Sequence, residues 1–137
     1  MSELQAYDTP GTRRSFVAVP AHASAAATEL FPVFEAPVAA KIEKVIFRPS
    51  AAVTGVDTNT THLNVIDIGT AGTGTTELGS YDLTSGNDLT KGERKELYAP
   101  STVLSVSQNN LIGLQFEEIG TSIAVPAGIA IVEWSAN

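Results

Sequence analysis

Turn-forming residues interrupt this chain wherever an apolar run begins to lengthen, and that punctuation limits its fold more than any other feature. Between clusters of Gly, Pro, Asn and Asp stand short runs rich in β-branched and aromatic residues, which suit a pleated, half-buried surface. These runs cover residues 15–19, 29–36, 40–49, 61–69, 75–83, 93–99, 110–120 and 128–135. No 3.6-residue periodicity is sustained anywhere. The alanine-rich stretch at 22–30 is too short for a stable helix and has Pro32 close behind it, so a loop or strand start is expected there. Many short strands at regular spacing define a sandwich or barrel. The expected fold is all-β, a jelly-roll-type antiparallel β-sandwich of about eight strands with an extended N-terminal arm. An immunoglobulin-like sandwich has a similar strand count, but the chain has no cysteine and so lacks the Cys…Trp…Cys spacing.

Individual segments refine this picture. Residues 1–14 read as an extended arm and 15–137 as one domain, a size that buries a sufficient core unaided. Phe16 and Ala18 alternate with Val17 and Val19. The proline in ELFPVFEA suits an edge strand. VPAG at 125–128 carries the residues of a type I turn. THLNVIDI is apolar on both faces, so it needs cover on two sides, one from the opposing sheet and one from a subunit interface. Trp134 alternates with Val132 and Ala130 and is expected in the core.

GTAGTGTTELGS at 69–80 invites a phosphate-binding reading. Gly69 and Gly74 have the Walker A separation, but Thr75 stands where that loop needs lysine. The dinucleotide fingerprint fails as well, because Thr75, Thr76 and Glu77 follow Gly72-Thr73-Gly74. Both motifs require a helix after the loop, and the residues that follow are strand-like. A hairpin corner is the expectation.

Other chemistries find little support. His22, expected in a surface segment, and His62, opening a strand, are too few for a zinc centre. DTNTTH at 57–62 begins like a calcium loop but lacks its glycine and its final acid. Glu117 and Glu118 are adjacent and point to opposite faces of a strand. There is no nucleophile elbow and no cysteine. A carbohydrate site would need Tyr81 or Tyr98 exposed for stacking, and a small enzyme would need His62 facing carboxylates in a pocket. The net charge of −7 with eight basic residues disfavours nucleic acid. IAVPAGIAIV is too short to span a bilayer, and MSELQAYD is no secretory signal. The sequence therefore calls for no catalytic residue, cofactor, metal, small-molecule substrate, nucleic acid or membrane.

The run from Phe31 through the PSAAVTG stretch at 49–55 to GTAGTGTT, together with the VPAGIAIVEWS terminus, resembles the jelly-roll head-decoration (cement) proteins of tailed bacteriophages. The likeness covers about residues 30–135 and rests on loop signatures. It implies a homotrimer made in the host cytoplasm and seated on the capsid exterior, bound to the major capsid protein. It also implies an N-terminal arm that reaches a neighbour or the shell. Within that arm Leu4 and Tyr7 are the expected pocket anchors, and Arg13 and Arg14 the expected partners of shell carboxylates. A trimeric carbohydrate-binding or other surface-binding sandwich module is the alternative function.

Overall fold

The computed structural model describes residues 11–137. Nine strands occur among them: β1 (Arg13–Val19), β2 (Glu29–Glu35), β3 (Ala40–Pro49), β4 (Thr60–Gly69), β5 (Thr76–Asp82), β6 (Lys95–Tyr98), β7 (Leu104–Val106), β8 (Leu111–Ile119) and β9 (Gly128–Ala136). The first sheet has the order β1-β9-β3-β6, with β7 also on β3. The second has the order β2-β8-β4-β5. All pairings are antiparallel. β6 lies against Val45 to Phe47 and β7 against Ala40 to Ile42, so the two share one edge of β3 like a single interrupted strand. The chain crosses between sheets at β1–β2, β2–β3, β3–β4, β5–β6, β7–β8 and β8–β9. This is a jelly-roll sandwich, as the strand count indicated.

Alternation along each strand builds the core. Val17 and Val19 face inward from β1, and Phe16 and Ala18 outward. Ala130, Val132 and Trp134 of β9 point into the core, with Trp134 packed on Phe34 at 5.5 Å between ring centres. Phe116 of β8 is the hub. Its ring meets Phe31 at 5.8 Å, Phe47 at 6.1 Å and His22 at 5.4 Å. The edge-to-face contacts with Phe31 and Phe47 add to the area term.

Strand prolines stand at an edge or at a strand end, and Pro49 is the last residue of β3. Pro32 lies in β2, an edge strand as expected, and the register slips between Pro32 and Phe34. The glycine-rich loop joins β4 to β5 as a hairpin. Gly72 has φ +79°, and Gly74 donates its N–H to the carbonyl of Ile68 at 2.7 Å.

Several expectations need correction. β1 begins at Arg13, two residues ahead of the expected strand start. The turn at 125–128 is replaced by extended chain. Val125 exchanges both backbone hydrogen bonds with His22, and the carbonyl of Ala127 accepts from Ser50 N–H. His22 is not on the surface but fully buried, because that same bridge draws it against Phe116. Finally, β4 needs no second subunit to cover it. Its outward-facing Ile66 and Ile68 are already buried within one chain. The backbone of the glycine loop lies over Ile68 and the Leu30 side chain adjoins it above Gly113, which has no side chain of its own to occupy that space.

Candidate binding surface

The outer face of the first sheet is built from three cross-strand rows. Antiparallel register places Arg14, Glu133 and Lys44 side by side, then Phe16, Ile131 and Ile46, then Ala18, Ile129 and Arg48. The first row is charged and the next is apolar, while the third ends in a guanidinium. Ile46 and Ile131 are buried, whereas Phe16 is 64% and Ile129 46% exposed. A pocket of about 330 Å³ opens beside them, lined by Phe16, Ile129, Ile131, Pro49, Ser50 and Arg48 among others. Arg48 is fixed at its mouth, donating from Nε and Nη2 to the carbonyl of Gly92 at 3.0 and 2.8 Å.

The charged row is a closed network. The buried carboxylate of Glu133 accepts from Arg14 Nε at 2.6 Å and from Arg94 Nη2 at 2.9 Å, both at Oε2. Lys44 bonds Glu96 at 3.0 Å, and Arg94 Nη1 lies 3.9 Å from the same carboxylate. The Arg14 hydrogen bond holds the Glu133 carboxyl below its ordinary pKa. Burial opposes this shift, and the charges of Arg94, Arg14 and Lys44 reinforce it. Two guanidinium groups are thereby held in fixed positions on the sheet face.

The outer face of the second sheet is different in kind. Nδ1 of His62 stands 3.2 Å from Asp82 Oδ1 and 3.6 Å from Glu117 Oε1. One row along, the amide of Asn64 donates to Gln115 at 2.9 Å and to Glu117 at 3.0 Å, and accepts from Ser80 Oγ at 2.7 Å. These are cross-strand neighbours on the outer sheet face, with Asn64 buried among them. No group of three or more potential metal ligands close enough to hold an ion occurs among the described residues.

Of the residues assigned contacts in the sequence, Leu4 and Tyr7 lie outside the described residues. Arg13 and Arg14 are adjacent in β1 and point to opposite faces. Arg14 joins the Glu133 network, and the Arg13 guanidinium carbon is 5.7 Å from the Trp134 ring centre. Tyr81 and Tyr98 are half-buried and packed against the core. The hydroxyl of Tyr81 donates to the Asp88 carbonyl, and Lys95 Nζ stands 3.8 Å from its ring centre. The side chains of the calcium-like stretch are occupied with backbone. Asp57 accepts from Ser85 N–H, Asn59 from Thr121 N–H, and Thr61 donates to the Ile123 carbonyl. Sequence reasoning missed the Phe16–Ile129 patch, because only the β1–β9 register brings those two residues together.

No protein-family model and no curated protein matches the chain. Its fold is similar to a chain of the cyanophage Pam1 capsid asymmetric unit, with a TM-score of 0.60 and 17% identity, covering 100% of this chain and 93% of that one. It is also similar to chains of infectious bursal disease virus Gx strain and of that virus's VP2 subviral particle. Each of these has a TM-score of 0.44 and 15% identity, covering 95% of this chain and 33% and 34% of theirs. At 17% identity the Pam1 likeness shows the fold alone, the jelly-roll sandwich.

Proposed function

We propose that the chain is a structural virion protein that binds the outer surface of a phage capsid as a homotrimer and stabilises it. The observation that carries this reading is the end-to-end likeness to a chain of a phage capsid asymmetric unit, which spans nearly the whole of both chains. The exposed apolar patch at Phe16 and Ile129 supports an assembly role, since such patches mark contact sites. The mechanism is additive contact with the major capsid protein. Many trimers on one lattice act at high effective concentration, and each adds buried area that an opening shell must expose. Leu4, Tyr7, Arg13 and Arg14 supply contacts at the arm and its root. The protein is made in the host cytoplasm and ends on the virion exterior. It acts by contact alone, with no catalytic step and no cofactor.

The test uses purified chain and capsids that lack it. Co-sedimentation should saturate at a fixed number of copies per shell, and coated shells should resist heat or chelator better than bare ones. Absence of saturable binding to shells of the encoding phage overturns the proposal.

A further inference from the structure

Charge is sorted between the two sheets. The strands of the second sheet carry seven carboxylates and no lysine or arginine. The strands of the first carry six cations (Arg13, Arg14, Lys41, Lys44, Arg48 and Lys95) against three carboxylates, Glu43, Glu96 and Glu133. A chain of net charge −7 thus presents a basic sheet on one side and a strongly acidic one on the other. Each side also has an apolar feature. The basic face has the pocket beside Phe16 and Ile129. The acidic face has Leu30, 39% exposed, standing over Gly113 with Ile68 beside it. Glu77, Asp82 and Glu117 face outward on the same sheet, by their register against Ile66 and His62.

The geometry points to a second copy of this chain as the occupant of the basic face. The acidic sheet of one copy docks on the basic sheet of the next, with Leu30 entering the Phe16–Ile129 pocket. Both halves of the complementarity belong to the one molecule. Arg13 and Lys95 point inward, so pairing two basic faces about a two-fold axis would instead bring the outward Arg14, Lys41, Lys44 and Arg48 against their own copies. The contact is therefore heterologous, with different patches meeting, and such contacts propagate into a ring or a stack. Carboxylates meeting cations fix the orientation, and the leucine in its pocket supplies apolar burial. The inference rests on the proposed oligomeric working state and assigns faces to it.

Sedimentation velocity on the full chain tests it, without any capsid present. Wild type should self-associate between about 10 and about 500 μM, a range typical of modest interfaces. Association should weaken several-fold between about 50 and about 500 mM NaCl as the charges are screened. Phe16→Glu disables the basic face and Leu30→Glu the acidic face, so each alone should stay monomeric. An equimolar mixture retains one intact pair of faces and should form a dimer that grows no further. If either variant misfolds by circular dichroism, Lys41→Glu replaces the first and Glu77→Lys the second, each expected to lower association several-fold. A monomeric wild type overturns the inference. So does a Leu30→Glu chain that associates like wild type, or a mixture that stays monomeric. Wild type that associates through other faces yet coats shells sinks this assignment alone. Association as described without shell binding sinks only the capsid role.

Discussion

Glu133 is a carboxylate held where a carboxylate is costly, and its neighbours explain why it is tolerated. Its side chain is buried on the outer sheet face and shared between Arg14 and Arg94. Removing one member leaves charge uncompensated, which is more harmful than never having built the network. Because the folded-state pKa of Glu133 is depressed, its contribution to stability is present above the unfolded carboxylate pKa. That contribution is lost as pH falls through the lower folded value. Urea titrations across a pH series should therefore show Glu133→Gln less stable than wild type at neutral pH. The two should converge at acid pH below the ordinary carboxylate range. Parallel curves would separate the network from acid sensitivity. His22 gives a contrasting case. Its Nδ1 lies 2.6 Å from Glu29, while its buried Nε2 has no hydrogen-bond partner among the described residues. Since Glu29 is partly solvated, His22→Phe should change stability by no more than about 1 kcal/mol, for it removes an unsatisfied atom and keeps the ring on Phe116. His22→Ala should cost about 2–4 kcal/mol through the cavity it leaves. Denaturant midpoints of the two variants check the difference.

At the scale of elements, the strands were legible because turn residues bound them and their side chains alternate. β3, β4, β8 and β9 fall within a residue or so of their expected limits. β7 was not legible, because Leu104-Ser105-Val106 alternates over only three residues, too short a run to signal a strand. Neither was the order of strands in each sheet, which is set by pairings between residues as distant as Arg13 and Trp134. That order also decides the candidate surface. Phe16 and Ile129 were visible as apolar residues in two separate runs, but only the sheet makes them neighbours of one pocket. The burial of His22 escaped for the same reason, since its bridge to Val125 spans most of the chain. The hairpin corner between β4 and β5 was legible, and its chemistry yields a further expectation. Gly72→Ala should cost about 1–2 kcal/mol, because a side chain is disfavoured at φ +79° although the space around it is open. Gly74→Ala acts by another route. Its Cβ would fall 2.6 Å from the Asp67 carbonyl oxygen, so the loop must shift off β4, at a cost of about 1–3 kcal/mol. Thermal melts should show both losses, and added ATP should move neither variant nor wild type.

For the whole molecule, the division between arm and sandwich turns on where β1 begins. β1 starts at Arg13, and the core is assembled from Val17 onward. Both Arg13 and Arg14 belong to that strand, so a truncation through residue 14 would remove a β1–β9 pairing, the Arg14–Glu133 bond and the arm together. Deleting residues 2–10 separates the two effects, since Gly11 and Thr12 still lead into an intact β1. The truncated chain should unfold within about 0.5 kcal/mol of wild type, because every described strand and core residue remains. If Leu4 and Tyr7 anchor the arm on the shell, its affinity for bare capsids should fall at least tenfold, the loss of about 1.4 kcal/mol or more of anchoring. Ala substitutions at Leu4 and Tyr7 in the full chain should reproduce most of that loss. The salt-dependent self-association of the truncated chain should remain, because the charged faces of both sheets are untouched. Unchanged shell binding after the deletion would move the whole contact onto the sandwich faces, where charge is sorted between the sheets and Phe16 stands exposed.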